Sequence, residues 1–243
     1  MISTTNRGII IKKIAYKEKH EILHILLETG KIESFFLENG QKTKKNKITI
    51  PCKVNIIYLN NYRMNRLIAV DVEDYYKNIV HDITAFMYVG NIIELITIVG
   101  SDNDFVNYVQ LEEVLDKLNK NCIEAPLLNI FFICKLLNKE GFKFKYKKTD
   151  KLYVGYDFSL NLFTNEINKK TYPLSDKLVK LIHILSIKSD LNILESIALN
   201  EIEYAMVLEF LNQIMKEYIG VETVTYKKIQ DLESLLYNFE RKN

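Results

Sequence analysis

The side chains that could do catalytic or metal chemistry in this chain are a few histidines and paired acids. His20 and His24 are four residues apart, a spacing that brings two metal ligands together on a helix. Their segment is predicted to be a loop running into a strand, where both rings face the same side, toward solvent. Asp102 and Asp104 form an Asp-x-Asp pair, but such residues before an apolar stripe favour helix capping. No metal site is therefore predicted.

Motifs that build an enzyme site are missing from the sequence. It contains no phosphate-binding glycine loop, no His-Glu-x-x-His, no Gly-x-Ser-x-Gly and no paired Cys-x-x-Cys. Cys52, Cys122 and Cys134 fit no metal-ligand spacing, and their odd number indicates apolar packing rather than a disulfide framework. We therefore predict a non-enzymatic protein without a cofactor.

Positive charge offers clearer chemistry, because it is segregated along the chain. Residues 1–80 carry 14 basic and 8 acidic side chains (net +6), whereas residues 81–138 carry 3 and 8 (net −5). Residues 139–170 are basic again, with 8 against 4 (net +4). Such asymmetry indicates where an anionic partner binds.

Basic and aromatic side chains occur together in the first third of the chain. Lysines neutralise phosphates, and aromatic rings stack on bases for roughly 1–3 kcal/mol each. The predicted nucleic-acid-binding residues are Lys12, Lys13, Tyr16, Lys42, Lys44, Lys45, Lys47, Tyr62, Arg63 and Arg66. A second basic patch comprises Lys143, Lys145, Lys147, Lys148 and Lys151. This patch could extend a nucleic-acid path, bind an acidic peptide or be a solvated β face.

Five predicted strands position the first group of residues, at 8–14, 21–27, 31–37, 47–59 and 66–71. The fourth alternates most cleanly, with one apolar face formed by Ile48, Ile50, Cys52, Val54 and Ile56. In the fifth, Ile68, Val70 and Val72 are predicted to share a face. Five short strands with one apolar face favour an OB-like barrel, which binds oligonucleotides on strands two and three, between the first and fourth loops.

Helices are predicted after residue 80. The first has its apolar stripe at Ile83, Phe86, Met87, Gly90, Ile93 and Ile96. Gly100 is predicted to end it in the usual C-terminal position. Residues 142–172 alternate aromatic residues with lysine, which predicts a short β excursion with a basic outer face, and helix resumes after Pro173. The fold class is α+β, with an OB-like domain at 1–80 and a helical domain at 81–243.

A membrane location is not predicted. The most apolar stretch, residues 127–137, is interrupted by Lys135 and is too short to cross a bilayer. The first residues lack the pattern of a signal peptide. We expect a cytoplasmic protein.

Several short motifs follow one another across the whole length of the chain. They are residues 8–12 (Gly-Ile-Ile-Ile-Lys), 16–18 (Tyr-Lys-Glu) and 26–32, the lysine-rich connection after Gly40, the Glu94-Leu95 pair, residues 136–141 (Leu-Leu to Gly) and the closing segment 208–220. In order and spacing, these motifs resemble those of the RecO family of bacterial recombination mediators. The first three resemble the family's first strand, its turn and its Thr-to-Gly-Lys segment.

This resemblance implies a non-enzymatic mediator associated with the nucleoid. Such proteins bind single- and double-stranded DNA, anneal complementary strands, and help load RecA together with RecR at gaps covered by single-strand-binding protein. Many members carry four zinc-binding cysteines after the Leu-Leu to Gly segment, but residues 142–172 contain none. The resemblance therefore implies a zinc-free excursion, which packing of Tyr153, Tyr156, Phe158 and Phe163 would have to hold.

Two other functions fit the same residues. One is an OB-fold RNA-binding or translation-associated module. The other is a protein–protein adaptor whose basic faces meet an acidic partner. The alternatives separate by nucleic-acid preference and by the effect of charge reversal at Lys44 and Lys45.

Overall fold

Five strands form a barrel in the first part of the chain. The computed structural model describes residues 3–40, 48–61, 64–100, 105–188 and 190–240. The strands are β1 (Ser3–Tyr16), β2 (His20–Leu27), β3 (Ile32–Leu37), β4 (Cys52–Leu59) and β5 (Asn65–Asp74). They pair in a ring in the order β1-β2-β3-β5-β4. All pairs are antiparallel except β3 with β5, a parallel junction of two residue pairs. The predicted α+β class with an OB-like barrel is confirmed.

The barrel interior is filled by the apolar side of the strands. The predicted face of the fourth strand is confirmed, since Cys52, Val54 and Ile56 are fully buried and Ile48 and Ile50 pack against the same core. The strand itself begins at Cys52, later than predicted. Pro51, just before it, has no N–H to donate to a ladder.

The face predicted for the fifth strand is wrong at Ile68. Ile68 is exposed, whereas Leu67 is buried in the core and Val70 and Val72 pack against it. The register shifts here, because Tyr58 pairs with Leu67 while Ile57 pairs with Ala69. An extra residue on one strand reverses the side on which its neighbours lie.

Helices occupy most of the chain after the barrel. They are α1 (Lys77–His81), α2 (Ile83–Val99), α3 (Phe105–Asn119), α4 (Ala125–Lys139), α5 (Asp176–Ile187), α6 (Glu201–Ile214) and α7 (Val224–Glu240). A 3₁₀ turn covers Leu191–Ser196, and a π turn, Met215–Ile219, follows α6. Asp82 caps α2 by accepting from the backbone N–H groups of Thr84 and Ala85.

The apolar stripe predicted for α2 differs from the side that is buried in the structure. Its buried side chains are Ala85, Tyr88, Val89, Asn91, Ile92, Leu95 and Ile96. Ile83 and Phe86, which the spacing placed on the apolar stripe, are exposed. The helix is apolar on both sides, so periodicity alone could not choose between them.

Gly100 ends α2, but not in the left-handed conformation of the usual C-terminal glycine. Its φ is −61° and its backbone is extended. A Cβ at this position would clash with the carbonyl oxygen of Ile96. Glycine is therefore required here by close approach rather than by a positive φ.

The predicted β excursion is a small sheet between α4 and α5. Its strands are β6 (Lys145–Tyr146), β7 (Gly155–Asp157), β8 (Leu162–Thr164) and β9 (Thr171–Pro173), in the order β6-β8-β7-β9. Tyr156 and Phe163 are fully buried, and their rings lie 5.1 Å apart. Phe210 of α6 packs against both at 5.2 and 5.8 Å. Tyr153 and Phe158 are half-buried at the margin of this cluster.

The chain divides into two compact units. One comprises Met1–Cys122 with Lys227–Asn243, and the other comprises Ile123–Tyr226. The predicted domain boundary near residue 80 remains a prediction. No helix in the described part of the chain is both long and apolar enough to cross a bilayer.

Candidate nucleic-acid interface

The outer face of β1, β2 and β3 arranges its side chains in rows that cross the strands. We call this surface the barrel face; it comprises Lys12, Ile14, Tyr16, His20, Ile22, His24, Ser34 and Phe36. Cross-strand register places Lys12 beside His24 and His24 beside Ser34. It likewise places Ile14 beside Ile22 and Ile22 beside Phe36. A polar row and an apolar row therefore lie next to each other.

A bulge in β1 creates this arrangement. The register shifts between Ile10 and Lys12, so Ile10 pairs with Ile25 inside the barrel and Lys12 pairs with His24 outside it. Without the extra residue, Lys12 would share the inward side of Ile10. Lys12 is exposed on the barrel face.

The polar row contains a half-buried histidine, His24. The Ser34 hydroxyl and His24 Nδ1 lie within hydrogen-bond distance, at 3.1 Å. Burial, assisted by the neighbouring positive charge of Lys12, lowers the pKa of His24. When the Ser34 hydroxyl donates to Nδ1, the ring proton is on Nε2, a donor suited to a phosphate oxygen.

Aromatic rings extend the apolar row. Tyr16 meets Phe36 edge-on with ring centroids 6.0 Å apart, and His20 lies 5.0 Å from Phe36. The ammonium of Lys17 lies 5.4 Å from the ring centroid of Tyr16. Ile14 and Tyr16 are exposed, whereas Ile22 and Phe36 are half-buried. Bases could stack on these rings, next to the ammonium of Lys17.

The predicted site residues are only partly brought together. Lys12 and Tyr16 lie on the barrel face. Arg66 of β5 pairs with Phe36 of β3. Its exposed guanidinium donates to Glu38 at 2.6 Å. An exposed ion pair of this kind is weak, so a phosphate could replace the carboxylate. The remaining predictions, Lys42, Lys44, Lys45, Lys47, Tyr62 and Arg63, lie outside the described residues.

Lys13 faces a different environment from Lys12. Its ammonium donates to the carbonyl oxygen of Ile48 at 3.0 Å and lies 3.6 Å from Glu21. A contact between Lys13 and DNA stays a prediction, and it would have to compete with these two interactions.

His20, Ile22, His24 and Phe36 were missed as candidate site residues. The signal that could have found them is the alternation in β2 and β3 combined with the ligand-binding face of OB barrels. The obstacle was the assignment of the two histidines to a solvent-facing loop and strand. Both rings are instead half-buried within β2.

On the outer side of β1, β4 and β5, basic side chains are paired with acidic side chains of the protein. Arg7 donates to Glu73 at 3.0 Å, and Asn55 donates to the same carboxylate at 2.6 Å. The hydrogen bond from Arg7 lowers the pKa of Glu73. Lys53 contacts Glu112 of α3 at 2.5 Å. These charges offer less to an anionic partner than those of the barrel face.

The small sheet carries the second basic patch. Lys143, Lys145, Lys148 and Lys151 are exposed, while the intervening Phe144 and Tyr146 pack inward on Phe163. Lys147 donates to Glu166 at 2.6 Å, which offsets its charge. Lys169 and Lys170, which the sequence analysis did not include, are also exposed on this segment.

Catalytic or metal-binding geometry does not emerge from the residues described. Within the described ranges, no group of three or more His, Cys, Asp or Glu side chains is placed to hold a metal ion. Cys52 and Cys134 are buried, and burial raises the pKa of each thiol to about 12. Neither thiol is therefore ionised near neutral pH.

Comparison with known proteins gives consistent matches over nearly the full length. The family model described as "Recombination protein O C terminal" matches residues 80–226. A DNA repair protein RecO of Staphylococcus saprophyticus is 28% identical over 254 residues, covering 96% of this chain and 97% of the relative. The proteins of the same name from Macrococcus caseolyticus and Staphylococcus epidermidis are 24% and 26% identical, with 94% of this chain and 96% of each relative covered.

Proposed function

This chain belongs to the RecO family and has a role in DNA repair and recombination, and from that premise we propose that it is a non-enzymatic recombination mediator. It binds single- and double-stranded DNA and anneals complementary strands. It acts with RecR and the single-strand-binding protein to help load RecA at gaps. It needs no cofactor or metal for this work.

The barrel face is the observation that supports this proposal most directly. It combines an exposed lysine, an exposed tyrosine and half-buried apolar side chains on three adjacent strands of an OB-like barrel. That surface is where OB barrels bind oligonucleotides. Lys12 and Tyr16 of the barrel face, and Arg66 of the adjacent β5, are proposed to contact the nucleic acid. Lys42, Lys44, Lys45, Lys47, Tyr62 and Arg63 are proposed to add contacts from the connecting loops.

The second basic patch supports binding of a further DNA segment. Its lysines are exposed on one small sheet, and the only acidic neighbour paired with them in the described residues is Glu166. Annealing brings two strands together, and on this proposal each of the two basic surfaces binds the phosphates of one strand.

Strand annealing in the presence of single-strand-binding protein tests the proposal. Complementary oligonucleotides coated with that protein should pair faster when the full chain is added. A variant with Lys12→Glu and Tyr16→Ala should lose most of the acceleration. Lys53→Gln, on β4 outside the barrel face, is the control and should retain it.

Several results would overturn this proposal. An annealing rate that the chain does not change would do so, as would no retardation of DNA at low salt. A strong preference for RNA over DNA of the same sequence would favour an RNA-binding module. Loss of a protein contact, with DNA binding intact, after charge reversal at Lys44 and Lys45 would favour an adaptor.

A further inference from the structure

An open cleft lies between the small sheet and the end of α6, within the compact unit Ile123–Tyr226. Its volume is about 420 Å³, which falls in the range of roughly 300–1,000 Å³ typical of small-molecule sites. The cleft is lined on the side of the sheet and its turns by Phe158, Lys169, Lys170 and Tyr172, and on the helical side by Gln213 and Glu217. These residues belong neither to the barrel face nor to the second basic patch.

Hydrogen bonds within the protein fix the walls of the cleft. Asp157 ties the turn after β7 to the turn before β9 through its bonds to Ser159 and Asn168. The Tyr172 hydroxyl donates to Glu209 of α6 at 2.9 Å, which joins the sheet to that helix. A site that is formed in advance loses little ordering entropy when a ligand binds.

Two half-buried aromatic rings give the cleft a surface for a planar ligand. Phe158 and Tyr172 both pack on Phe210, with ring centroids 6.2 and 5.5 Å from it. Each ring also remains partly exposed where it lines the cleft. Any nucleobase gains from stacking on such rings, because every base has a π face.

Positive charge stands beside these rings. Lys169 and Lys170 are exposed, and neither has an acidic partner in the part of the chain that the structure describes. Glu166, the acid nearest to them in sequence, pairs with Lys147 instead. Both ammonium groups are therefore available to a phosphate.

The end of α6 supplies a polar group for the edge of a base. Gln213 donates to Glu217 at 2.9 Å, which leaves further lone pairs of the carboxylate free to accept. Glu217 lies in the π turn Met215–Ile219, and such turns are frequent at functional sites. A carboxylate accepts from the amino groups of adenine, cytosine and guanine, whereas thymine has no amino group.

We infer that this cleft binds a single nucleotide, whose base stacks on Phe158 and Tyr172 and whose phosphate contacts Lys169 and Lys170. Glu217 accepts from an amino group of the base. The same chemistry is offered by a free nucleoside phosphate and by an unpaired nucleotide of a DNA strand. The cleft thus adds to the proposed function a site that does not depend on strand annealing.

Calorimetric titration of the full-length chain with deoxyguanosine monophosphate tests the cleft directly. We expect a dissociation constant below about 1 mM at low salt. Deoxyribose phosphate, which lacks the base, should bind about tenfold more weakly. Thymidine monophosphate should bind about threefold more weakly than the guanine nucleotide, because it lacks the amino group.

Four substitutions separate the contributions to binding. Phe158→Leu should weaken the guanine nucleotide about tenfold through lost stacking. Lys170→Gln should weaken it about threefold, whereas Lys188→Gln, at an exposed lysine of the same unit outside the cleft, should not change it. Glu217→Gln should remove the preference for guanine over thymine. Melting temperatures verify that each variant is folded, and the exposed Lys170 provides a test even if Phe158→Leu is destabilised.

A duplex that ends in one unpaired fluorescent purine nucleotide distinguishes the two sources of the ligand. The fluorescence of such a base falls when it stacks on an aromatic ring. Quenching that is reduced by Phe158→Leu and Lys170→Gln, but not by Lys188→Gln, assigns the cleft to unpaired nucleotides of DNA. Binding of deoxyguanosine monophosphate without such quenching assigns it to free nucleotides.

Absence of both signals would overturn the inference. Binding of deoxyguanosine monophosphate that Phe158→Leu and Lys170→Gln leave unchanged would also overturn it, because the ligand would then lie elsewhere. Neither result affects strand annealing by the wild-type chain. Failure of the wild-type chain to anneal strands would instead overturn the proposed function.

Discussion

The ammonium of Lys13 donates a 3.0 Å hydrogen bond to the carbonyl oxygen of Ile48 at the edge of the barrel core. Its neighbour Lys12 is exposed on the barrel face beside His24. Two adjacent lysines of one strand therefore have different surroundings, and they should have different roles.

Substitution of each lysine by glutamine separates these roles. Lys12→Gln should weaken single-stranded DNA binding and reduce the slope of log affinity against log salt by roughly 0.7, the value for one phosphate contact. Lys13→Gln should leave that slope unchanged but destabilise the fold by about 1 kcal/mol, because it loses a hydrogen bond at the barrel edge. Salt titrations and denaturant unfolding measure the two effects. Equal slopes for both variants would contradict the assignment.

The barrel could be predicted from sequence because its alternation is strong. Period-two patterns in the fourth strand and short connections indicated five strands and closure, and the structure has both. The bulges could not be predicted. A register shift after Ile10 and another between Ile57 and Tyr58 each depend on the pairing of two strands rather than on one strand's own pattern.

The candidate site shows the same limit. Lysine and tyrosine positions followed from composition and from the known binding face of OB barrels. Alternation in β2 and β3 could have placed His24 and Phe36 on the outer side of the barrel. It could not have identified their neighbours, because these depend on which residues of β1, β2 and β3 stand opposite each other. For α2, apolar residues on both sides of the helix concealed which one is buried.

The aromatic cluster of the small sheet should be essential to its stability. Phe163 is fully buried and lies 5.1 Å from Tyr146 and from Tyr156, centroid to centroid. Phe163→Ala should cost about 3–5 kcal/mol of unfolding free energy. Leu160→Ala, at a residue 63% exposed in the turn between β7 and β8, should change it by less than about 0.5 kcal/mol.

A chelator should not lower the melting temperature of the wild-type chain, since ring packing supplies the stabilisation. Calorimetry with and without a chelator measures this directly. One tightly bound zinc per chain, or a large loss of stability on chelation, would show that a metal holds the sheet.

Asp157 ties two turns of the small sheet together. Its carboxylate accepts from the backbone N–H of Ser159 at 2.8 Å, the Ser159 hydroxyl at 2.7 Å and the N–H of Leu160 at 3.1 Å. The side-chain amide of Asn168 donates to its other oxygen. These bonds, with those of Ser159 first, hold the pKa of Asp157 below its ordinary value of 3.8.

The stability from Asp157 should therefore depend on pH in a defined direction. Because the folded pKa is lowered, the contribution is present above pH 3.8 and is lost as the pH falls through the folded value. Asp157→Asn should lower the melting temperature by roughly 5 °C at pH 7. The difference in melting temperature between the wild type and this variant should become smaller below pH 3.8. Asp150→Asn, at an exposed acid of the same segment, is the control. A difference in melting temperature that does not change with pH would exclude the Asp157 carboxylate as the source of the stability.

Glu166 offsets part of the charge of the second basic patch. Its carboxylate lies 2.6 Å from the ammonium of Lys147, and both groups are exposed. Glu166→Gln frees that ammonium for a phosphate and should raise the affinity for duplex DNA by about two- to threefold at low salt. Lys145→Gln should lower the affinity more than Lys147→Gln does, because Lys145 has no acidic partner within the described residues.

The matched control breaks a similar ion pair elsewhere in the same unit. Glu222→Gln removes the partner of Lys216, which lies 3.3 Å away and outside the small sheet. Both substitutions change the net charge by the same amount, but only Glu166→Gln frees a lysine of the second basic patch. The effect of Glu222→Gln on duplex affinity should therefore be the smaller one. Anisotropy titrations at two salt concentrations measure the affinities, and the gain from Glu166→Gln should shrink as salt rises. Equal gains in the two variants would mean that net charge, rather than the lysines of the small sheet, sets duplex affinity.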